Sequence, residues 1–156
     1  LNQDGVQLRF VGSRDMLSDK VKRSLEDAEA LTVGNTRILL NVCFNYGGRW
    51  DIAQAAAQLA QVGEAISEQS LSKTLALAHC ADPDLVIRTG GERRLSNFLL
   101  WQAAYSELYF SDLLWPDFDE VAVDDALRDY ASRQRRFGKT PDQLAASDSP
   151  PILGGN

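Results

Sequence analysis

The chain has 156 residues, 44% of them apolar, which suits one ordinary domain with a sizeable core and calls for no second one. A net charge of −6 argues against non-specific nucleic-acid binding and makes any local cluster of arginines conspicuous. Two cysteines, Cys43 and Cys80, form neither a disulfide framework nor a metal-ligand pattern and fit a reducing, cytoplasmic compartment; no apolar run could span a bilayer and no secretory leader is seen.

In chain order, Val6-Gln-Leu-Arg-Phe-Val-Gly12 reads as a strand that enters the middle of an α/β domain, and with Leu1 where an initiator methionine would stand, a truncated N-terminus is expected. Leu17 to Thr32 has helical spacing, with Leu17, Val21, Leu25 and Ala28 on one face and Gly34-Asn35 as its stop. Thr36 to Phe44 is so rich in Ile, Leu and Val that a fully buried strand is expected. Asn45-Tyr-Gly-Gly-Arg-Trp-Asp51 follows at its exit as a glycine pair between strand and helix, with Arg49 at the join. The pair could equally serve only the geometry of a tight turn. An alanine-rich helix over 50–62 and a second helix from Ser67 to His79 come next. The lone histidine, at a helix end, is expected to bond nearby carbonyls rather than to move protons.

The most informative stretch is Asp84-Leu-Val-Ile-Arg-Thr-Gly-Gly-Glu-Arg-Arg-Leu-Ser-Asn-Phe-Leu-Leu-Trp101. Leu85 to Ile87 reads as a buried parallel strand with Arg88 at its end, Thr89-Gly90-Gly91 as a flexible loop, and Ser96 as the N-cap of a helix carrying Phe98 to Trp101. Open α/β sheets bind ligands beyond the carboxyl ends of their strands. Helix N-termini and guanidinium forks both favour phosphate, so Arg88, Arg93 and Arg94 point to a phosphorylated ligand, a diphosphate above all. The same arginines could instead form surface ion pairs with Glu92, Asp82 and Asp84. Glu107, alone among Tyr105, Tyr109 and Phe110, could be a plain salt-bridge partner. A last amphipathic helix runs from Asp119 to Arg136 with Val123, Leu127 and Tyr130 inward, and its closing Arg133-Gln-Arg-Arg-Phe-Gly138 suits a helix C-terminus. Beyond Lys139 the composition predicts a disordered tail over 139–156.

Read as a whole, Asp82 to Glu92, Arg94 to Gln102, Ala104 to Phe110 and Leu114 to Phe118, preceded by Asn45 to Ile52, closely resemble the cis-prenyltransferase family. The resemblance spans about Val6 to Gly138 and implies an α/β fold, a single layered domain with a mostly parallel central sheet flanked by helices, of which 1–138 is the C-terminal part. It implies an enzyme that condenses isopentenyl diphosphate onto an allylic diphosphate, typically farnesyl diphosphate, to make a long polyprenyl diphosphate such as undecaprenyl diphosphate. Carried over by position, Arg88, Arg94 and Ser96 would hold the diphosphate of isopentenyl diphosphate. Arg136 and Gly138 would reach the diphosphate site, in several family members the neighbouring subunit's site. Asn45 and Arg49 would border the reaction centre, and Glu107 would help place Mg2+. A homodimer is implied, with Tyr105 to Trp115 and the last helix as interface candidates, and the lipid product makes peripheral membrane contact plausible.

The family's N-terminal Asp-Gly-Asn-Gly-Arg-Trp type block, with its magnesium-binding aspartate, is absent from these residues, so the chain alone is expected to be inactive. An inactive fragment, or a non-catalytic accessory subunit of the same fold, is the alternative, though the Arg88, Arg94, Ser96 and Glu107 set favours the enzyme. An unrelated nucleotide- or phosphosugar-binding domain would need a glycine-rich fingerprint that is not found.

Overall fold

The computed structural model describes residues 1–133. Its elements follow the order β1 (Val6–Val11), α1 (Asp19–Thr32), β2 (Ile38–Cys43), α2 (Gly48–Gln61), α3 (Glu68–Thr74), β3 (Leu85–Arg88), β4 (Glu107–Phe110), a 3-10 turn (Trp115–Asp117) and α4 (Glu120–Ser132). Strands alternate with helices and both strand pairs are parallel, as expected for an α/β fold of this kind. The described chain forms two compact units, Leu1–Asp82 with Arg94–Ala104, and Pro83–Arg93 with the chain from Tyr105 onward.

In the first unit β1 pairs with β2 from Val6↔Ile38 to Val11↔Cys43, and α1 packs on β1. The α1 side chains also serve β1's outer edge: Thr32 Oγ1 accepts from the Leu8 amide at 3.0 Å and Glu29 Oε1 from the Phe10 amide at 2.7 Å. Two edge donors that would otherwise lack partners are thereby satisfied. Ser18 caps α1 through the Val21 amide, so the helix starts at Asp19, two residues later than the apolar spacing predicts. The expected burial of β2 is not found. Ile38 is 53% exposed and Leu39 and Leu40 are both 38% exposed, because the ladder has only two strands and β2 lies on one neighbour.

The core of this unit is Val6, Val11, Ala55, Leu59, Leu75, Leu77, Leu99 and Ala103. Ala55 and Leu59 stand four apart on α2, which packs on α3. The latter opens with a reciprocal cap between Ser67 and Ser70 but stops at Thr74, short of the expected His79; the chain then turns and buries Leu75 and Leu77.

In the second unit β3 pairs with β4 from Leu85↔Glu107 to Arg88↔Phe110, and α4 packs on β4. Asp119 caps α4 through the Ala122 amide at 3.0 Å. The helix buries Ala122 and Ala126, not the expected Val123 and Leu127, which are 37% and 50% exposed. A small-residue face brings helix and strand close, one position round the helix from where size alone would have put it.

Candidate active site

The first unit presents two loops that meet. At the exit of β2, Asn45 takes a left-handed φ of +51° and donates from Nδ2 to the Ser13 carbonyl at 3.0 Å, while the Ser13 amide donates back to the Asn45 carbonyl at 3.1 Å. Asn45 therefore ties the ends of β1 and β2 together. Its neighbour in this tie is Gly12, φ +140°, where a Cβ would lie 2.1 Å from the Phe44 carbonyl oxygen; only glycine fits. Ser13, Asp15, Met16, Asn45, Tyr46, Gly47 and Trp50 line a cleft of about 380 Å3 at the strand exits.

Gly47 is the N-cap of α2 and offers no side chain to the helix's free amides. Asn97 supplies what is missing. Its carbonyl accepts from the Gly48 amide at 2.7 Å and its Oδ1 accepts from the Arg49 amide at 2.9 Å. The Arg94 to Ser96 segment is thus joined to the loop that carries Asn45 and Arg49, and the structure brings these four predicted residues into one unit. The helix expected after Ser96 is not formed. Ser96, Asn97 and Leu99 have φ of +50°, +65° and +45°, and the chain passes in turns closed by Phe98 N–H to the Leu95 carbonyl (3.1 Å) and Ala103 N–H to the Leu99 carbonyl (2.8 Å). Tertiary demands override propensity here, because Asn97 must face α2. Ser96 is consequently no helix cap. Edge-on contacts of Tyr46 with Trp50 and with Phe98, both at 6.1 Å, join the same two loops through their rings.

Arg88 and Glu107 belong to the second unit. Arg88 closes β3, and its carbonyl accepts from the Ser111 amide at 2.8 Å. The loop after it is pinned rather than flexible: Gly90 and Gly91, at φ +86° and +75°, donate to the carbonyls of Leu113 (2.7 Å) and Ser111 (3.0 Å). Glu107 opens β4 opposite Leu85, at the other end of the ribbon from Arg88, three residues or roughly 10 Å along the strand. Its Oε2 accepts from Arg133 Nη1 at 2.8 Å, and Arg133 also donates to the Leu108 carbonyl and to Asp129. Among the described residues no three His, Cys, Asp or Glu side chains cluster as a metal cage. Arg136 and Gly138 lie outside the described residues, as does the tail over 139–156.

Sequence reasoning overlooked Asp51. An acid in the first turn of a helix reads as a complement to the dipole, yet Asp51 is only 1% exposed and takes four hydrogen bonds. They come from the Tyr46 hydroxyl (2.8 Å), the Ala76 amide (2.8 Å), Gln102 Nε2 (3.1 Å) and Gln54 Nε2 (3.2 Å). Burial, the bond to Asp51 and its charge together push the Tyr46 hydroxyl far above its usual value, so it stays a donor. His79 lies 2.8 Å from the Asn41 side-chain Oδ1 and also bonds the Ala76 backbone, and both cysteines are free thiols raised by burial.

A family profile described as "Putative undecaprenyl diphosphate synthase" matches residues 1–138. The chain is 51% identical to the isoprenyl transferase of Neisseria gonorrhoeae, over 92% of this chain and 58% of that protein. It is 50% identical to the farnesyl-diphosphate-specific ditrans,polycis-undecaprenyl-diphosphate synthase of Pseudomonas aeruginosa, over 96% of this chain and 62% of that one. Among solved structures it superposes on a probable undecaprenyl diphosphate synthase from Campylobacter jejuni with a TM-score of 0.82 and 34% identity, covering 88% of this chain and 65% of that one. Lavandulyl diphosphate synthase from Lavandula x intermedia, in complex with dimethylallyl diphosphate, gives 0.81 and 36%, covering 86% and 61%. The chain spans 58% and 62% of the length of the two bacterial relatives, and across nearly all of its own length it belongs to the undecaprenyl diphosphate synthase family of cis-prenyltransferases.

Proposed function

We propose that the protein to which these residues belong elongates an allylic diphosphate, farnesyl diphosphate in the first instance, by condensing isopentenyl diphosphate onto it to give a long polyprenyl diphosphate. The observation that carries this reading is the arginine and serine set Arg88, Arg94 and Ser96. Arg88 closes β3, and Arg94 and Ser96 lie on the segment joined to the start of α2, in a chain about half identical to proteins named for this activity. In this reading the three side chains bind the diphosphate of isopentenyl diphosphate, Arg49 at the first turn of α2 borders the reacting ends, and Arg136 and Gly138 complete the diphosphate site. Ionising an allylic diphosphate builds negative charge on the leaving group. Guanidinium donors fixed by a folded backbone then stabilise the transition state more than the ground state.

Magnesium belongs to the same proposal. Mg2+ asks a protein for one or two carboxylates and takes substrate phosphates and water for the rest. Glu107 fits as one such carboxylate once Arg133 yields it; Asp129, on the same guanidinium, is the acid that stands with it, and no group of three is found among the described residues. A bound ion would supply charge neutralisation at the diphosphate. We also propose that these 156 residues alone do not turn over, since the family's N-terminal aspartate block is not among them.

We propose that the enzyme works in the cytoplasm as a homodimer, with peripheral membrane contact through its lipid product. Tyr105, Leu114 and Trp115, 62–76% exposed, and Val121 on α4 give the second unit an apolar surface suited to a partner subunit, and no described helix is long and apolar enough to cross a membrane. The test is incorporation of radiolabelled isopentenyl diphosphate with farnesyl diphosphate and Mg2+ by the full-length protein. Long products that disappear with Arg94→Ala support the reading, and a full-length protein without incorporation overturns it.

A further inference from the structure

We propose that Asn97 is the positioning residue that makes one diphosphate-binding surface out of two separate loops, by capping α2 from outside the helix. The argument starts from an absence that is filled. An α-helix begins with amides that have no intrahelical acceptor, and a glycine N-cap cannot serve them. In α2 the first two of these amides, of Gly48 and Arg49, are both taken by Asn97, one by its main-chain carbonyl and one by its side-chain Oδ1.

Three further observations fit no simpler account. Gly47 has an extended backbone, φ −152°, that any residue can adopt, so its glycine is not needed for conformation. It is needed for space, since a Cβ there would lie 2.6 Å from Asn97 Nδ2. Gly48 likewise gives way to the following segment, with a Cβ placed 2.7 Å from Leu100 Cγ and 2.9 Å from the Leu100 amide nitrogen. Lastly, Ser96 and Asn97 are consecutive residues of left-handed backbone. Such a conformation persists only where surrounding contacts impose it, and asparagine is among the side chains that tolerate it best. The Gly-Gly pair and the Ser-Asn pair are therefore two halves of one joint.

The consequence for binding is specific. Asn97 takes two of the free amides at the N-terminus of α2, so the inference gives the diphosphate to side chains rather than to that helix end. Those side chains are Arg49 on one half of the joint and Arg94 and Ser96 on the other, and Asn97 fixes the backbone from which both halves project. This inference rests on the diphosphate reading above, and it adds a residue that touches no reacting atom.

The test uses the full-length protein and inorganic pyrophosphate as the probe, titrated by calorimetry. Asn97→Gly keeps the left-handed backbone and removes only the side-chain acceptor, and Gly47→Ala keeps Asn97 and wedges the halves apart. Each is expected to weaken pyrophosphate binding about tenfold and to raise KM for isopentenyl diphosphate more than it lowers kcat. In the double variant the wedge has nothing to strike. Its affinity should be no worse than that of the weaker single variant, as coupled positions require. Unchanged affinity in Asn97→Gly, or losses that multiply in the double variant, overturn the proposal. If the unaltered protein binds no pyrophosphate, the diphosphate reading fails instead. The joint is then decided by amide exchange at Arg49, whose side-chain acceptor Asn97→Gly removes: exchange there should accelerate about tenfold, and left unchanged it would sink the joint.

Discussion

The Tyr46 hydroxyl donates to Asp51 at 2.8 Å, and this bond joins the loop at the exit of β2 to a carboxylate sealed inside the first unit. Asp51 also holds the Ala76 amide in the turn after α3 and the Gln102 amide in the turns after Leu99. One carboxylate thus fixes three segments that meet around α2. Asp51→Ala would strand four donors, and each buried donor left unpaired costs about 1–3 kcal/mol. We expect a loss of about 3 kcal/mol or more in denaturant unfolding. Asp51→Asn should cost less, about 1–2 kcal/mol, because it keeps one acceptor oxygen with its two donors, although the new amide nitrogen faces the other two.

Much of this fold is legible in the residues. Val6 to Val11, Ile38 to Cys43 and Leu85 to Arg88 are short stretches rich in Val, Leu and Ile, and Ser18, Ser67 and Asp119 stand where caps belong. What escapes is set by tertiary contact. Nothing local says that Phe98 to Trp101 will turn instead of coil, since the reason is Asn97 reaching α2 from 48 positions along the chain. Nor does local pattern tell a dipole acid from a buried hub at Asp51, or show that Arg133 closes α4 on Glu107. The apolar character of β2 is plain, but its burial depends on what covers the sheet, which no single strand encodes.

Gly12 and Gly34 make a matched pair. Alanine at Gly12 would combine φ +140° with a Cβ 2.1 Å from the Phe44 carbonyl oxygen, which is backbone and cannot swing away. Gly12→Ala should cost about 3 kcal/mol or more, or prevent folding. Gly34 has nothing within 4 Å of its virtual Cβ and no positive φ, so Gly34→Ala should be neutral or gain a few tenths of a kcal/mol, up to about 1, through the unfolded chain. Paired thermal melts decide both, and equal effects at the two sites would refute the steric account.

Arg133 donates to Glu107, to the Leu108 carbonyl and to Asp129, so it fastens the end of α4 to the start of β4. Both ion-pair side chains are about one-third exposed, 32% and 28%, so solvent discounts the pair. Arg133→Met is expected to cost about 1–2 kcal/mol, with a smaller effect in high salt. Glu107→Gln separates stability from chemistry, because its amide oxygen can still accept from Arg133. In the full-length protein it should cost less stability than Arg133→Met while lowering prenyl incorporation at least tenfold. Chelating Mg2+ with EDTA should abolish the incorporation that remains. If Glu107→Gln turns over normally, Glu107 is a strut for α4 and holds no ion.

The single histidine gives a pH test with a definite sign. Burial and the neighbouring Arg9 charge lower the His79 imidazole below its ordinary 6.5, outweighing the bond to the Ala76 backbone that raises it. The unfolded chain therefore takes up this proton first as pH falls. Between the ordinary and the folded value the unfolded state binds more protons, so stability is lost as pH drops below about 6.5 and the loss ends once both states are protonated. Melting temperatures measured from pH 8 to pH 5 should fall more steeply for the unaltered protein than for His79→Gln, whose amide can still donate to Asn41 Oδ1. The difference between the two curves isolates the imidazole from the carboxylates that titrate lower down. Should the unaltered protein instead gain stability relative to His79→Gln as the pH falls, the imidazolium is held by an acid, with Asp82 beyond Cys80 the first to replace.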